Sequence, residues 1–428
     1  MERTGRGSGV SRVVAAGIIG TTAEFYDFFL YGAAAATVFG PTFFPHSDGL
    51  LGVLAALVTY AVGFLARPVG GLVFGHFGDR VGRKRLLVFS LLGMGGASTL
   101  IGLLPGYDQI GVAAPILLTL LRLVQGFALG GEFGGAVLLV SEHGDNRGRG
   151  LRAAWPQTGG PLGNLLATGA LAATAGSWSG GEGWRLPFLA SALLVVIGLW
   201  VRLRVAESPL FAERPRTERA PLTLALRRYP RELFSVFAAR VGENATFYVF
   251  TIFLLVYATN IGLPRSTATL AVTVGSVVQV LAMVAGGALS DRWGRRPVAV
   301  LAAVAAAGWA LAFFPLVTSG QVVLAVAGGL LCHGVLTGAQ SAFYAELFDT
   351  SIRYSGVSLG YQAATVLAGA AAPLVGTAML QATGSALPVT ALLVGCLGLT
   401  VVGMLVAPET RGRDLSATVA DRLPTEHA

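Results

Sequence analysis

GHFGDRVGRKR, from Gly75 to Arg85, returns in shortened form as GALSDRWGRR, from Gly287 to Arg296. Both follow G-x-x-x-D-R-x-G-R-[KR], they lie 212 residues apart, and each sits between long apolar segments. Lys and Arg resist translocation, so a cationic loop between two spans is expected on the cytoplasmic side. The same loop on the same side twice implies two halves in one orientation. Parallel halves of this kind are an architecture of secondary transporters.

The composition agrees. Charged residues make up 12% of the 428 and hydrophobic residues 54%, against the ~25% charged that is usual for soluble domains. Mean hydropathy is +0.69, more apolar surface than a soluble fold of this length hides. The 59 glycines suit helices that pack closely in lipid. Cys332 and Cys396 lie in apolar runs, which suggests no disulfide framework. The first apolar stretch is too long for a cleavable signal peptide and contains Glu24 and Asp27. A net charge of +8 is compatible with a nucleic-acid partner, but its distribution argues otherwise. Assigning loops alternately to the two sides puts 25 of the 30 basic residues on one side. That asymmetry is topogenic, excludes nucleic acid as the expected partner, and places both termini in the cytoplasm.

Crossing the hydrocarbon core takes about 20 apolar residues. Twelve spans are predicted: 13–39, 50–77, 86–104, 112–140, 152–175 and 185–201, then 233–258, 268–289, 298–317, 321–345, 355–381 and 386–406. Residues 1–201 form one six-helix bundle and 233–428 a second with a cytoplasmic tail. Between them 202–232, charged and holding Pro209, Pro215, Pro221 and Pro230, reads as a cytoplasmic linker. Other echoes support the duplication. AEFYDFF at Ala23 matches ATFYVFT at Ala245, Glu142 with Arg149 matches Glu346 with Arg353, and Glu207 in AESP matches Glu409 in APET.

These residues resemble the major facilitator superfamily and, within it, the metabolite:proton symporter family. The repeated loop matches the superfamily's signature. GTTAEFYDFFLYG, ARPVGGLVFGHFGDRVGRK, RLVQGFALGGEFGGA, WRLPFL, AESPLF and RYSGVSLGYQ, from Gly20 to Gln362, are similar to the narrower family's motifs. The resemblance implies an all-α membrane protein with twelve transmembrane helices in two parallel-repeat six-helix bundles, the major facilitator fold. It also implies proton-driven import, by alternating access, of a small polar metabolite, a carboxylate or zwitterion, across the plasma membrane, a bacterial inner membrane. One departure is Asp349 in AELFDTSIR, where the family usually has Pro. GGPLGN, from Gly159 to Asn164, partly resembles a motif of proton-antiporting exporters, so export stands as the alternative, with a non-transporting receptor as another.

Seven acidic or basic residues other than histidine fall well inside the predicted spans: Glu24, Asp27, Arg67, Arg122, Glu132, Arg240 and Glu243. A charge at mid-membrane costs at least ~2.5 kcal/mol, so such groups face a cavity or a partner. Glu24 lies roughly 16 Å into the first span at the helical rise. Glu24, Asp27 and Tyr31 share one helical face. Paired buried carboxylates suit proton binding and release, and the resemblance implies that an acid near Asp27 and the fourth-span arginine couple protons. Asp27 is therefore the candidate proton carrier, with Glu24 assisting and Arg122 modulating them by pairing, while Glu132 relays protons or bonds to a neighbouring helix; the bland alternative for Asp27 is a permanent Asp27–Arg122 ion pair joining two helices. Arg67 suits bidentate contact with a substrate carboxylate, or an ion pair with Glu24, Asp27 or Glu132. Tyr26, Tyr31, Gln125, Asn164, Arg240, Asn244 and Tyr248 are further cavity candidates, and Arg240 and Glu243, three apart, can neutralise each other. In the second half Glu24 and Asp27 become Thr246 and Val249, Arg67 becomes Gln279, and Arg122 becomes Val326. His333 suits proton transfer or a hydrogen-bonded structural role.

At the loops, Asp79 and Asp291 can accept from the N–H groups of a neighbouring helix start. Arg80, Arg83, Arg292, Arg295 and Arg353 can pair with Glu142, Glu346 or other carboxylates. These residues make a candidate cytoplasmic gate, or only orient the helices. No HExxH, Cys-pair, GxSxG or complete phosphate-loop motif sits where its chemistry needs it, so neither an enzyme nor a metal or cofactor is expected. The expected partners are a small-molecule substrate, protons and the lipid bilayer.

Overall fold

In hydrocarbon each backbone N–H and C=O must find its partner within the segment, and the α-helix satisfies that need. The computed structural model of the chain describes residues 3–47, 49–81, 83–130, 148–174, 182–204, 226–349 and 353–413, and there the long elements are helical. α1 is Arg3–Thr37, α2 Gly49–Val81, α3 Arg83–Leu103 and α4 Ala113–Gly130. α5 comes in two pieces, Arg149–Gln157 and Gly159–Thr174, and α6 is Arg185–Arg204. α7 runs as Pro230–Tyr248, a π-helical turn Val249–Phe253, and Leu254–Asn260. α8 is Arg265–Trp293, α9 Arg295–Thr318 and α10 Val322–Leu347. α11 is Arg353–Ala364, a second π turn Thr365–Ala370, and Ala371–Thr383; α12 is Leu387–Val406.

Among the described residues nine helices are long and apolar enough to cross a membrane. α1, α3 and α5 are helical as well: α1 carries Glu24 and Asp27 in its middle, α3 is apolar over Val88–Leu103, and α5 is interrupted at Thr158, between Pro156 and Pro161. Large apolar side chains such as Leu193, Leu281, Leu301 and Leu387 stand exposed on the outside of the bundle, the face a bilayer covers.

α1 and α7 lie at the centre. Every residue from Tyr26 to Ala36 and from Ala238 to Ala258 is buried. Phe29 of α1 packs on Phe247 of α7 with centroids 4.9 Å apart, and Phe64 of α2 meets Tyr248 at 5.7 Å. Around this axis helices approach to backbone contact where glycine permits it. A Cβ at Gly126 of α4 would overlap the Gly63 carbonyl of α2, and one at Gly338 of α10 would overlap the Met283 carbonyl of α8. The same helix pair is thus closely packed in each half, and in the first half that approach sets Arg67 and Arg122 side by side.

The repeated motif is mostly helix. α8 continues through Asp291 and Arg292 to Trp293, beyond the 268–289 expected from hydropathy, because a helix needs no apolar residues once it leaves hydrocarbon. The turn comes at Gly294, whose φ of 102° lies in the region that favours glycine. α7 starts at Pro230, a residue that lacks only an N–H the first helical position would leave unpaired. Just before it, Tyr229 donates to Asp349 at 2.8 Å, tying the start of α7 to the end of α10. Burial, with that bond second, pushes the Tyr229 hydroxyl up to about 12.

Candidate functional site

α1 presents Asp27 to α3 and α6. Asp27 is 3% exposed; it accepts from the Ser191 hydroxyl of α6, and Ser98 of α3 is its second side-chain partner. Ser98 in turn accepts from Gln125 Nε2 at 2.6 Å, and Gln125 Oε1 accepts from Arg122 Nη1 at 3.0 Å. A polar chain of Asp27, Ser98, Gln125 and Arg122 therefore links three helices. The direct Asp27–Arg122 pair is absent. Gln125 takes the Arg122 donor, while the guanidinium lies over Phe28, Tyr31 and Tyr60 at 4.6, 4.4 and 4.6 Å. Glu24 is buried on α1 one turn before Asp27. Tyr31 shares a 2.6 Å hydrogen bond with Thr59, and Tyr26 donates to the Pro187 carbonyl at 2.7 Å, so both hydroxyls are engaged within the first half. Glu132 lies outside the described residues.

Arg67 of α2 stands beside this chain. Its guanidinium lies 4.2 Å from the Phe28 ring and 4.7 Å from Phe64, and its Nε and Nη2 have no hydrogen-bond partner. Arg122 Nη2 and Arg240 Nε are unpartnered as well. Like-charge repulsion acts between Arg67 and Arg240 and between Arg67 and Arg122. Cation–π contact contributes about 0.5–2 kcal/mol. Each unsatisfied buried donor costs about 1–3 kcal/mol, more when charged. The rings therefore do not compensate the cluster, and an anion with paired acceptor oxygens would.

The second half builds its own network. Arg240 pairs with Glu243 on α7 and lies 3.9 Å over the Tyr361 ring of α11. Glu243 Oε1 meets His333 Nε2 of α10 at 3.1 Å and accepts from Thr337 at 3.1 Å, while Gln279 of α8 reaches His333 Nδ1 at 2.7 Å. Asn244 donates to Thr365 at 3.3 Å, joining α7 and α11 beside both π turns, which recur at functional positions. Tyr248 packs against Tyr60 and Phe64 across the halves. Asn164 of α5 donates to Ser276 of α8 at 2.9 Å. Close by, Gly163 abuts the backbone of Phe25 and Tyr26, so GGPLGN has a packing use against α1. Sequence reasoning missed Ser98, Ser191 and Thr365, which carry no pattern of their own. Gln279 was visible only as the residue opposite Arg67 in the repeat.

At the ends of α8 and α10 the halves are stapled together. Asp291 accepts from the Gly150 and Leu151 N–H groups, both at 2.9 Å, at the start of α5, and pairs with Arg295 at 2.7 Å. Glu346, 1% exposed, pairs with Arg149 at 3.0 Å and Arg295 at 3.2 Å and accepts from Thr410 at 2.6 Å. Glu409 accepts from the N–H groups of Arg295 and Arg296 at 2.9 and 3.0 Å, capping α9. Burial pushes the Glu409 carboxyl up, but four backbone N–H donors outweigh it and hold it below the usual carboxylate range. Arg353 is buried and Arg292 exposed. Glu142 and the side chains of Asp79, Arg80 and Arg83 lie outside the described residues.

A family model described as "Sugar (and other) transporter" matches residues 13–228, and one described as "Major Facilitator Superfamily" matches 233–424. The inner membrane metabolite transport protein YhjE of Escherichia coli K12 is 39% identical over 425 residues, covering 95% of this chain and 96% of its own. The shikimate transporter of the same strain is 38% identical, covering 84% and 86%, and its proline/betaine transporter 32%, covering 84% and 75%. The crystal structure of a D-xylose–proton symporter superposes with a TM-score of 0.71 at 16% identity, covering 94% of this chain and 99% of that one. That likeness fixes the fold.

Proposed function

This chain belongs to the major facilitator superfamily, and from that premise we propose that it imports a small carboxylated metabolite together with protons. It is a multi-pass membrane transporter rather than an enzyme. The finer reading rests on Arg67: a buried guanidinium with two unpartnered donors, flanked by Arg122 and Arg240, suits a carboxylate held bidentately. A hydroxylated acid such as shikimate, named for a relative, would add hydroxyls for Tyr248, Asn244 and Gln125. Asp27, with Glu24 beside it, carries the proton, and the relay through Ser98 and Gln125 reports its charge to Arg122. Residues 1–201 and 233–428 are the two units that rock about the substrate, with 202–232 as the linker and both termini in the cytoplasm of a bacterial cell. The Asp291, Arg295 and Glu346 contacts close one face while the other opens.

Reconstituted liposomes test this reading with radiolabelled shikimate, proline and glycine betaine under an acid-outside gradient. Shikimate is expected to accumulate until a protonophore collapses the gradient, and Arg67→Lys to weaken its apparent affinity at least about tenfold through loss of the bidentate fork. Accumulation of proline or glycine betaine instead would move the substrate class to zwitterions. Accumulation only under the reversed gradient would make the protein an exporter, and wild-type affinity in Arg67→Lys would remove Arg67 from the site.

A further inference from the structure

The buried His333–Glu243 pair has no counterpart in the first half and takes no part in the Asp27 relay. By the offsets of the repeat, Glu243 stands opposite Thr21 and His333 opposite Leu129. Three helices of the second half converge here: α7 brings Glu243, α8 brings Gln279 and α10 brings His333. A carboxylate can only accept, so His333 Nε2 carries a hydrogen toward Glu243, and Nδ1 accepts from Gln279 Nε2. Gln279 Oε1, in a side chain 1% exposed, has no partner. It is the acceptor that a hydrogen on Nδ1 would require, and turning the amide over would present it.

We propose that His333 and Glu243 form a second proton site in the carboxyl-terminal half, whose loading frees Arg240 to bind the substrate carboxylate. This rests on the symport reading above. A proton adds to His333 Nδ1, no bond between heavy atoms changes, and the pair passes from net charge −1 to neutral. Glu243, neutralised by the imidazolium, then holds Arg240 less firmly. The guanidinium, already over the Tyr361 ring and within range of Arg67, turns to the incoming anion. The other titratable groups facing the pair are Tyr248 on α7, Tyr344 on α10 and Tyr361 on α11. α8 offers the uncharged Gln279, and α9 beyond Arg296 and α12 carry no charged residue. Proton and anion thus arrive together with little net charge added to the membrane interior. By reciprocity each strengthens the other's binding, by roughly 5- to 150-fold for couplings of ordinary size.

The test uses the full chain in lipid nanodiscs with nitrogen-15-labelled histidine, the His333 signal being assigned by its loss in His333→Gln. In acid buffer the wild-type ring is expected to carry a hydrogen on both nitrogens, and the ring of Glu243→Gln on one alone. A ring that keeps one tautomer throughout, or that titrates identically in Glu243→Gln, overturns the proposal. In liposomes with shikimate, His333→Gln is expected to lose accumulation, about tenfold per imposed pH unit for one coupled proton, and to keep exchange only at raised shikimate, because Glu243 still holds Arg240. Undiminished accumulation in His333→Gln overturns the coupling. Should the wild type itself fail to accumulate shikimate, that failure belongs to the symport reading, and the histidine titration still decides the proton site.

Discussion

In the first half the acid sits on α1 at Asp27, and its polar chain runs through Ser98 and Gln125 to Arg122. In the second half the matching position is Val249, where the π turn of α7 begins, and the acid stands six residues earlier at Glu243, against Arg240 and His333. The scaffolds are alike: α2 on α4 and α8 on α10 meet at glycines with backbone in contact. Their contents differ. Gln279 replaces Arg67, and a carboxylate–imidazole pair replaces a carboxylate held by two serines. Duplication preserved the close helix packing, while the polar groups, which do not determine that packing, were free to diverge. One half thus holds an arginine with two unpartnered donors, Arg67, while the other holds Arg240 paired with Glu243.

The largest test of this contrast removes the first-half acid. Asp27→Asn keeps the volume and the serine contacts but cannot cycle a proton. Under a gradient of about two pH units, accumulation is expected to fall about a hundredfold, the whole contribution of one coupled proton, while substrate exchange persists. Uptake assays in liposomes read both. Full accumulation would show that Asp27 is a permanent structural group and shift the burden to Glu243 and His333.

Next in size is the buried carboxylate where the halves meet. Glu346 neutralises Arg149 from the first half and Arg295 from the second. Glu346→Ala leaves two buried guanidinium groups without it, a loss of about 3–5 kcal/mol, readable as a lowered unfolding temperature in detergent. A change below about 1 kcal/mol would mean that the arginines find other acceptors. Asp291→Asn should act more gently. Its contacts at the start of α5 are charge-assisted, and the lost charge is worth about 1 kcal/mol toward the closed face, about a fivefold shift in population. Spin labels at Trp155 and Trp293 would report it as a longer distance. Asp79→Asn probes the equivalent position in the other half; an equal shift makes the latch symmetric, whereas no change in distance or transport from either variant removes the latch.

How much of this was legible beforehand follows from what each feature depends on. The duplication and the helices depend on local chemistry, and the motif at Gly75 and Gly287 with its long apolar flanks displays that chemistry in the chain itself. The relay depends on how α3, α4 and α6 are rotated about their axes. Ser98 and Ser191 look like any serine in an apolar helix until that rotation brings both to Asp27. Rotation also explains why Arg122 meets Gln125 instead of the carboxylate. His333 could be singled out as a buried histidine, but its contact with Gln279, whose oxygen is unpartnered, exists only in three dimensions. Glu409 was visible as the repeat of Glu207, yet its use as a cap for α9 depends on the chain folding back after α12.

That cap supplies the smallest effect and the one with a definite pH signature. Burial raises the Glu409 carboxyl, but N–H donors from Arg411, Arg295, Arg296 and Thr410 outweigh burial and hold it below its unfolded value. A depressed folded value contributes stability that is fully present above the unfolded value and lost as pH falls through the folded one. Glu409 keeps a solvent-exposed side, so screening limits the contribution to under about 1 kcal/mol. Unfolding temperatures of wild type and Glu409→Gln should therefore differ modestly at neutral pH and converge in acid, because protonation brings the wild type to the state the variant already mimics. Curves that coincide at every pH would leave the cap without energetic weight. Glu207→Gln then decides how far the halves are alike at this position: the same convergence would make the cap a shared device of the scaffold, and a pH-independent offset would place Glu409 among the features the second half holds alone.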